Sequence, residues 1–187
     1  ELQTSVSTST MYMGFNMADP LVGGLGERGR KLRQAIGIAL DQEEFISIFL
    51  NGRGLPAQSP LPPGIFGHHD GREGVNGYMY DWVDGQPQRK SIDVAKKLLA
   101  EAGYPKGFQL TLSTTNDRYI NDSQITQAVA QYLTQVGIKA EVDAMTRAIY
   151  FPRRAKKEFS VAIGGWGDKG YPNGPLGITL VVDQLAA

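Results

Sequence analysis

The stretch from Phe108 to Val142 constrains the fold more than any other part of the chain, because its apolar period changes twice. Phe108, Leu110 and Leu112 alternate with Gln109, Thr111 and Ser113, the pattern of a half-buried strand. Asp122 or Ser123 stands where a helix N-cap is expected. Ile125, Ala128, Val129, Tyr132, Leu133 and Val136 then recur at helical spacing, and Gly137 follows as a C′ residue would. Ile138 to Val142 alternates again. A strand, helix and strand joined this tightly form a βαβ unit, with parallel strands and a right-handed crossover. Phe159 to Ile163 supplies a third strand, ahead of a glycine-rich turn around Gly165-Trp166. The fold class is α/β, a βαβ sheet core with flanking helices. Three loops leave strand carboxyl ends, Thr115–Asn121, Ala144–Tyr150 and Gly164–Gly177. Ligands of open α/β sheets bind at that end of the strands.

The 187 residues, 41% of them hydrophobic, suffice for a sizeable core, and we read residues 1–187 as a single α/β lobe. No apolar run approaches the roughly 20 residues of a membrane span. Lys plus Arg and Asp plus Glu each number 19, and that balance argues against nucleic acid as an obligate partner. Cysteine is absent, which removes thiolate nucleophiles and cysteine-based metal sites. The chain starts at Glu1 without a methionine and is expected to be processed or truncated, so its start says nothing of targeting.

Met11 to Asn16 reads as a strand, and Ala18 to Gly26 as a loop. A helix is expected from about Glu27, with Leu32, Ala35, Ile36, Ala39 and Leu40 on one face. Asp41 ends it and caps the next helix, and Glu44 at N3 completes a capping-box-like pair. Arg53 to Gln88 holds five prolines and several aromatics and reads as a long irregular loop, ordered at the surface. Ser91 caps a further helix that Gly103 and Pro105 terminate.

Gly24-Leu-Gly-Glu-Arg-Gly29 matches the dinucleotide pattern G-x-G-x-x-G. That motif needs a strand directly before it and an acidic residue ending a second strand roughly 20 residues on. Here a proline-containing loop precedes it, and Glu43 and Glu44 lie on a helix. A flexible loop before a helix is the plainer reading, and an α/β dinucleotide-dependent enzyme the rival one. His68-His69-Asp70 could ligate a metal, but no third cluster accompanies it, and solvated loop residues are the simpler account. Asp81 and Asp84 form a possible carboxylate pair without an acid or base partner. Asn116, Arg118 and Tyr119 follow the first strand of the βαβ unit. They are either a turn built on Asn116 or Asp117 or a polar, ionic and aromatic ligand rim. Trp166 between glycines closes the sheet end as a core residue or walls a ligand site.

Five stretches together resemble one family. They are Tyr12-Met-Gly-Phe-Asn16, Arg33-Gln-Ala-Ile-Gly-Ile-Ala-Leu-Asp41, Ala95 to Pro105, Ile125 to Ile138, and Phe159 to Trp166. In this order they resemble the peptide/nickel-type, or family 5, extracellular solute-binding proteins of ABC importers. The resemblance implies a type II periplasmic-binding-protein lobe, the second of two lobes that close on a solute. It implies a non-enzymatic binding role without a cofactor, a location in the periplasm or cell envelope, and docking on ABC permease subunits. Contact with the membrane would run only through that permease, and peptides or other small polar solutes would be the ligands. Trp166 is then a stacking wall, and Asp168 the candidate partner of a ligand amino group. Between them stands a single residue, Gly167, where the family has two. Asn116, Arg118 and Tyr119 line the same cleft, and Asn16, ending the strand that enters the lobe, joins them as a candidate.

Overall fold

The computed structural model describes residues 9–57, 61–62, 68, 77 and 79–167. Four strands form the main sheet: β1 (Ser9–Phe15), β4 (Gln109–Thr115), β5 (Lys139–Met145) and β6 (Val161–Gly167), in the order β1-β6-β4-β5. β4 is parallel to β5, with Gln109 opposite Lys139 and Thr115 opposite Met145. It is also parallel to β6, while β1 runs antiparallel along the far side of β6. The expected βαβ unit is therefore present, with α4 (Asp122–Thr134) as its crossover. Two further helices, α1 (Glu27–Ala39) and α3 (Ile92–Glu101), pack on each other and share the core of α4. Leu32, Ile36, Leu99, Leu112, Leu133, Ile138 and Val161 are fully buried there. Each such side chain contributes about 1.5–3 kcal/mol relative to exposure.

The opposite sheet face receives α5 (Arg147–Ala155), whose Tyr150 is buried against Met145 and Phe159. Residues 144–150, expected as a loop, thus divide between the end of β5 and the start of α5, with Thr146 between them. The helix escapes a periodicity reading because Ile149, Tyr150 and Phe151 are adjacent rather than spaced, and Pro152 lies inside it.

The region 53–88 is not irregular throughout. β2 (Tyr80–Val83) and β3 (Gln86–Arg89) form a two-stranded hairpin. Asp84 and Gly85 both have positive φ, 51° and 77°, the primed turn that an Asp-Gly pair favours. Pro87 inside β3 masks the signal, since a proline counts against a strand. Arg89 fastens the hairpin to the end of α1. Its guanidinium donates to the carbonyls of Ile38 and Ala39 and pairs with Asp41 at 3.0 Å. Asp41 caps α2 (Gln42–Leu50) as expected, accepting the Glu44 N–H at 3.0 Å. The reciprocal half of the capping box is replaced by a longer-range bond, Glu44 accepting from the Tyr132 hydroxyl of α4 at 2.6 Å. Gly103 and Gly137 take the left-handed conformations that stop α3 and α4, with φ of 90° and 89°.

The glycine pattern at 24–29 is architectural. Asp19 organises the loop before α1, its carboxylate accepting from the Leu21 and Val22 amides and from the Ser160 hydroxyl. The Gly23 and Gly24 amides donate to the carbonyls of Asp19 and Met17. Amides 21–24 are thus already bonded within the loop and are not free to cradle a phosphate. The strand that precedes the motif, β1, lies at the edge of the sheet, with residues 16–23 intervening. Gly29 is buried in α1 because carbonyls of this loop lie against its α-carbon. A glycine inside a helix costs about 1 kcal/mol relative to alanine. Here an added methyl would nevertheless sit 2.6 Å from the Gly24 carbonyl oxygen. Gly29→Ala is accordingly expected to lower stability by about 1–3 kcal/mol, as overpacking does. The urea midpoint is the measurement, and a midpoint raised by the better helix former would contradict this packing.

Candidate functional site

β4 occupies the switch point of the sheet. The chain leaves it for β5 on one side, then crosses back through α5 to reach β6 on the other. Two right-handed crossovers in opposite directions place α4 and α5 on opposite faces, and open α/β sheets of this build take their ligands outside the strand carboxyl ends, between such helices. The ladder between β4 and β6 is short, Leu112 opposite Val161 and Ser113 opposite Ala162. Beyond it β6 continues to Gly167 paired with β1 alone. Gly164, Gly165 and Trp166, expected as a turn, therefore belong to the strand, facing Tyr12, Met11 and Thr10.

The loop after β4 is built around one buried carboxylate. Asp122 is 3% exposed. Its Oδ2 accepts from the Thr115 hydroxyl at 2.7 Å and from the Arg118 and Tyr119 amides at 3.1 Å each, and its Oδ1 from the Ser123 amide. The helix cap itself is Asn121, in the left-handed conformation with φ 55°, so Asp122 is the first helical residue, its side chain turned back into the loop. Burial by itself would raise the Asp122 carboxyl, but the bonds from Thr115, Tyr119, Arg118 and Ser123 bring it below its ordinary value. Asp117 ties the same loop to α5 by accepting the Arg147 amide at 2.7 Å.

Tyr119 and Trp166 share the carboxyl edge of the sheet, as expected, but not one face. The Tyr119 hydroxyl donates to the Gly165 carbonyl at 3.0 Å, and its ring lies where a β-carbon on Gly165 would point. A β-carbon on Gly164 would meet Tyr12, Tyr150 and Arg154 on the other face. Strand alternation puts Trp166 with Gly164, half-buried. The Arg118 guanidinium stacks on the Tyr119 ring at 5.0 Å and, among the described residues, has no carboxylate partner. Asn116 is exposed, its amide donating to the Met145 carbonyl. Asn16 is not brought to this edge. β1 is antiparallel, so Asn16 sits beside Ser160 at the opposite end of β6, about 20 Å from Trp166 by strand rise. Its side chain bonds the Lys157 carbonyl and the Ala18 amide, a loop-fastening role. Asp168, like His69 and Asp70, lies outside the described residues. His68 contacts the Leu61 carbonyl, Asp81 pairs with Lys90 at 3.0 Å, and Asp84 forms the hairpin turn.

Sequence reasoning missed Thr115, Tyr150 and the loop-building role of Asp122. Tyr150 is fully buried on α5 and donates its hydroxyl to the Ile163 carbonyl at 2.8 Å. Burial pushes that hydroxyl up to about 12, which keeps it a donor. The only sequence signal for Asp122 is a polar residue at a helix start, which a cap explains equally well.

An open sheet with its loops gathered at a switch-point crevice is the build of a ligand-binding α/β lobe. The chain belongs to the bacterial extracellular solute-binding proteins, family 5, whose middle-region family model matches residues 1–183. It is 32% identical over 150 residues to heme-binding protein A of Haemophilus influenzae, covering 76% of this chain and 24% of that protein. It is 29% identical over 171 residues to the glutathione-binding protein GsiB of Escherichia coli K12, covering 89% of this chain and 30% of the relative. Among solved structures, the oligopeptide-binding protein AppA of Bacillus subtilis, in complex with a nonapeptide, superposes with a TM-score of 0.70 at 22% identity. That match covers 90% of this chain and 33% of AppA. The periplasmic binding protein DppA of Helicobacter pylori gives 0.68 at 23% identity, over 87% of this chain and 28% of DppA. The fold is that of a type II periplasmic-binding-protein lobe, and the family is extracellular or periplasmic. The chain spans about a quarter to a third of the length of the curated relatives it matches. The rival dinucleotide-enzyme reading finds no support in these comparisons.

Removing Asp122 tests the loop. Its folded pKa is depressed, so its stabilisation is complete above the unfolded value of about 4 and is lost as pH falls through the folded value. Asp122→Ala should cost about 2–4 kcal/mol at neutral pH by urea unfolding. The gap to the unmodified chain should narrow below about pH 4, whereas a gap constant down to acid would contradict the assignment.

Proposed function

We propose that this chain forms one lobe of the solute-binding protein of an ABC importer and binds peptides or other small polar solutes. The solute would lie in a cleft completed by a second lobe, and the closed protein would deliver it to the membrane permease. The reading treats residues 1–187 as part of a longer two-lobe protein that performs no chemistry on its ligand. One observation carries it: the loop after β4, at the carboxyl edge of the sheet, holds an exposed guanidinium, Arg118, stacked on the Tyr119 ring and without a carboxylate partner among the described residues. On this reading Arg118 meets an anionic group of the solute, and Trp166 supplies a stacking wall. Asn116 and Tyr119 line the rim between them. Asp168, two residues after Trp166 in the sequence, is assigned to a ligand ammonium, since a partly desolvated carboxylate pairs strongly with one. Heme, glutathione and peptides are named for the relatives, a range that favours solutes with charged termini or carboxylates.

Native mass spectrometry of the full-length protein, purified without refolding, identifies the retained solute. With that solute in hand, Arg118→Ala and Trp166→Ala should each weaken binding about tenfold or more, the effect of a residue worth roughly 1.4 kcal/mol or above. The 187-residue chain alone should bind far more weakly, because one wall leaves much of the solute wet. Undiminished affinity in both variants would place the site elsewhere.

A further inference from the structure

The end of β6 is paired with a strand on one side only, along β1. Asn16 donates its amide to the Ser160 carbonyl, which directs that carbonyl toward β1. Carbonyls alternate along a strand, so those of Ile163 and Gly165 point to the other side, toward β4. There the ladder has already stopped at Ala162. Buried carbonyls left without a donor are costly, yet these two are satisfied. The Tyr150 hydroxyl, reaching in from α5, donates to Ile163 at 2.8 Å. The Tyr119 hydroxyl, from the loop after β4, donates to Gly165 at 3.0 Å. The two rings approach from opposite faces, and of the two glycines it is Gly165 that makes room, for the Tyr119 ring. A β-carbon on Gly164 would meet the Tyr150 hydroxyl at 3.6 Å, and one on Gly165 would meet the Tyr119 ring at 3.0 Å.

We propose that Tyr119 and Tyr150 are positioning residues whose hydroxyls take the place of the missing β4 ladder and fix the terminal segment of β6, and with it Trp166, apart from β4. The splay they maintain is the crevice itself. Were β6 to zip onto β4, the opening would close. Were it released, Trp166 would lose its orientation. Tyr119 then acts chiefly through the strand it holds and as the seat for Arg118. Asp122 acts one step further back, since it fixes the Tyr119 amide. This inference rests on the proposed solute site only in what Trp166 is positioned for, not in how it is held.

The test uses the 187-residue chain with Trp82→Phe, which leaves Trp166 as its one tryptophan. Tyr119→Phe, Tyr150→Phe and the double variant keep the rings and remove the hydroxyls. Acrylamide quenching of Trp166 and amide exchange across residues 164–166 are read beside the thermal midpoint. Each single variant should raise the released population about fivefold, the factor carried by one hydrogen bond of ordinary net strength. The midpoint of each should move by only about 3 °C, and the double variant should exceed either single one. Quenching and exchange that stay unchanged in Tyr119→Phe, which alters a half-buried surface residue and should fold, would overturn the proposal. So would a midpoint that falls in all variants while Trp166 stays as shielded as before. If Trp166 loosens as expected but Trp166→Ala in the full-length protein leaves solute retention intact, the positioning role stands and the solute reading of this edge falls.

Discussion

Parallel pairing of β4 with both of its neighbours is the constraint on which the rest of the structure depends. Parallel strands cannot be joined by a hairpin, so each connection must cross a sheet face, and right-handedness decides which face. One crossover becomes α4, covering the large core with α1 and α3. The other becomes α5, covering the opposite face around Tyr150. The loops at the carboxyl edge diverge as a direct result, and an opening between them needs no dedicated element to make it.

What keeps that opening in shape is polar. An aspartate 3% exposed would be costly if unpaired, but Asp122 collects four donors, two from the loop it anchors and one each from the end of β4 and the start of α4. The outcome is a short loop whose backbone is defined without secondary structure, on which Arg118 and Tyr119 stand. Gly165 of β6 serves the same end, since without a side chain of its own it lets the Tyr119 ring lie against the strand. Where a Gly-Trp sequence suggests a flexible turn, the structure has a strand clasped by tyrosines.

The edge away from this crevice is tied down differently. Asp19, Asn16, Arg28 and Arg33 bond backbone groups of the loop between β1 and α1 and of the segment before β6. These residues consolidate the amino-terminal ends of the sheet and the first helix turn. A glycine motif that resembles a nucleotide loop in one dimension is thus a packing device, and the functional asymmetry of the lobe runs from this fastened edge to the open one.

The sequence by itself determined the βαβ unit, the extents of α1 and α3 and the course of α4, the cap at Asp41 and the stops at Gly103 and Gly137. All of these are local: a period of two or 3.6, or a backbone angle that one residue type adopts at low cost. The family likeness was legible for the same reason, being carried by contiguous stretches. Where periodicity was interrupted the reading failed, at the proline-bearing β3 and at α5 with its adjacent apolar residues. Only the tertiary structure decided that β1 runs antiparallel, which sends Asn16 to the far end of β6. It alone decided that Tyr119 and Trp166 lie on opposite faces of one strand, and that Asp122 serves a loop rather than a helix cap. Each of these depends on partners brought together by the fold, 46 residues apart in the case of Tyr119 and Gly165 and 141 in that of Asn16 and Lys157. No local pattern encodes a hydrogen bond to a carbonyl that is free only because a distant ladder has ended.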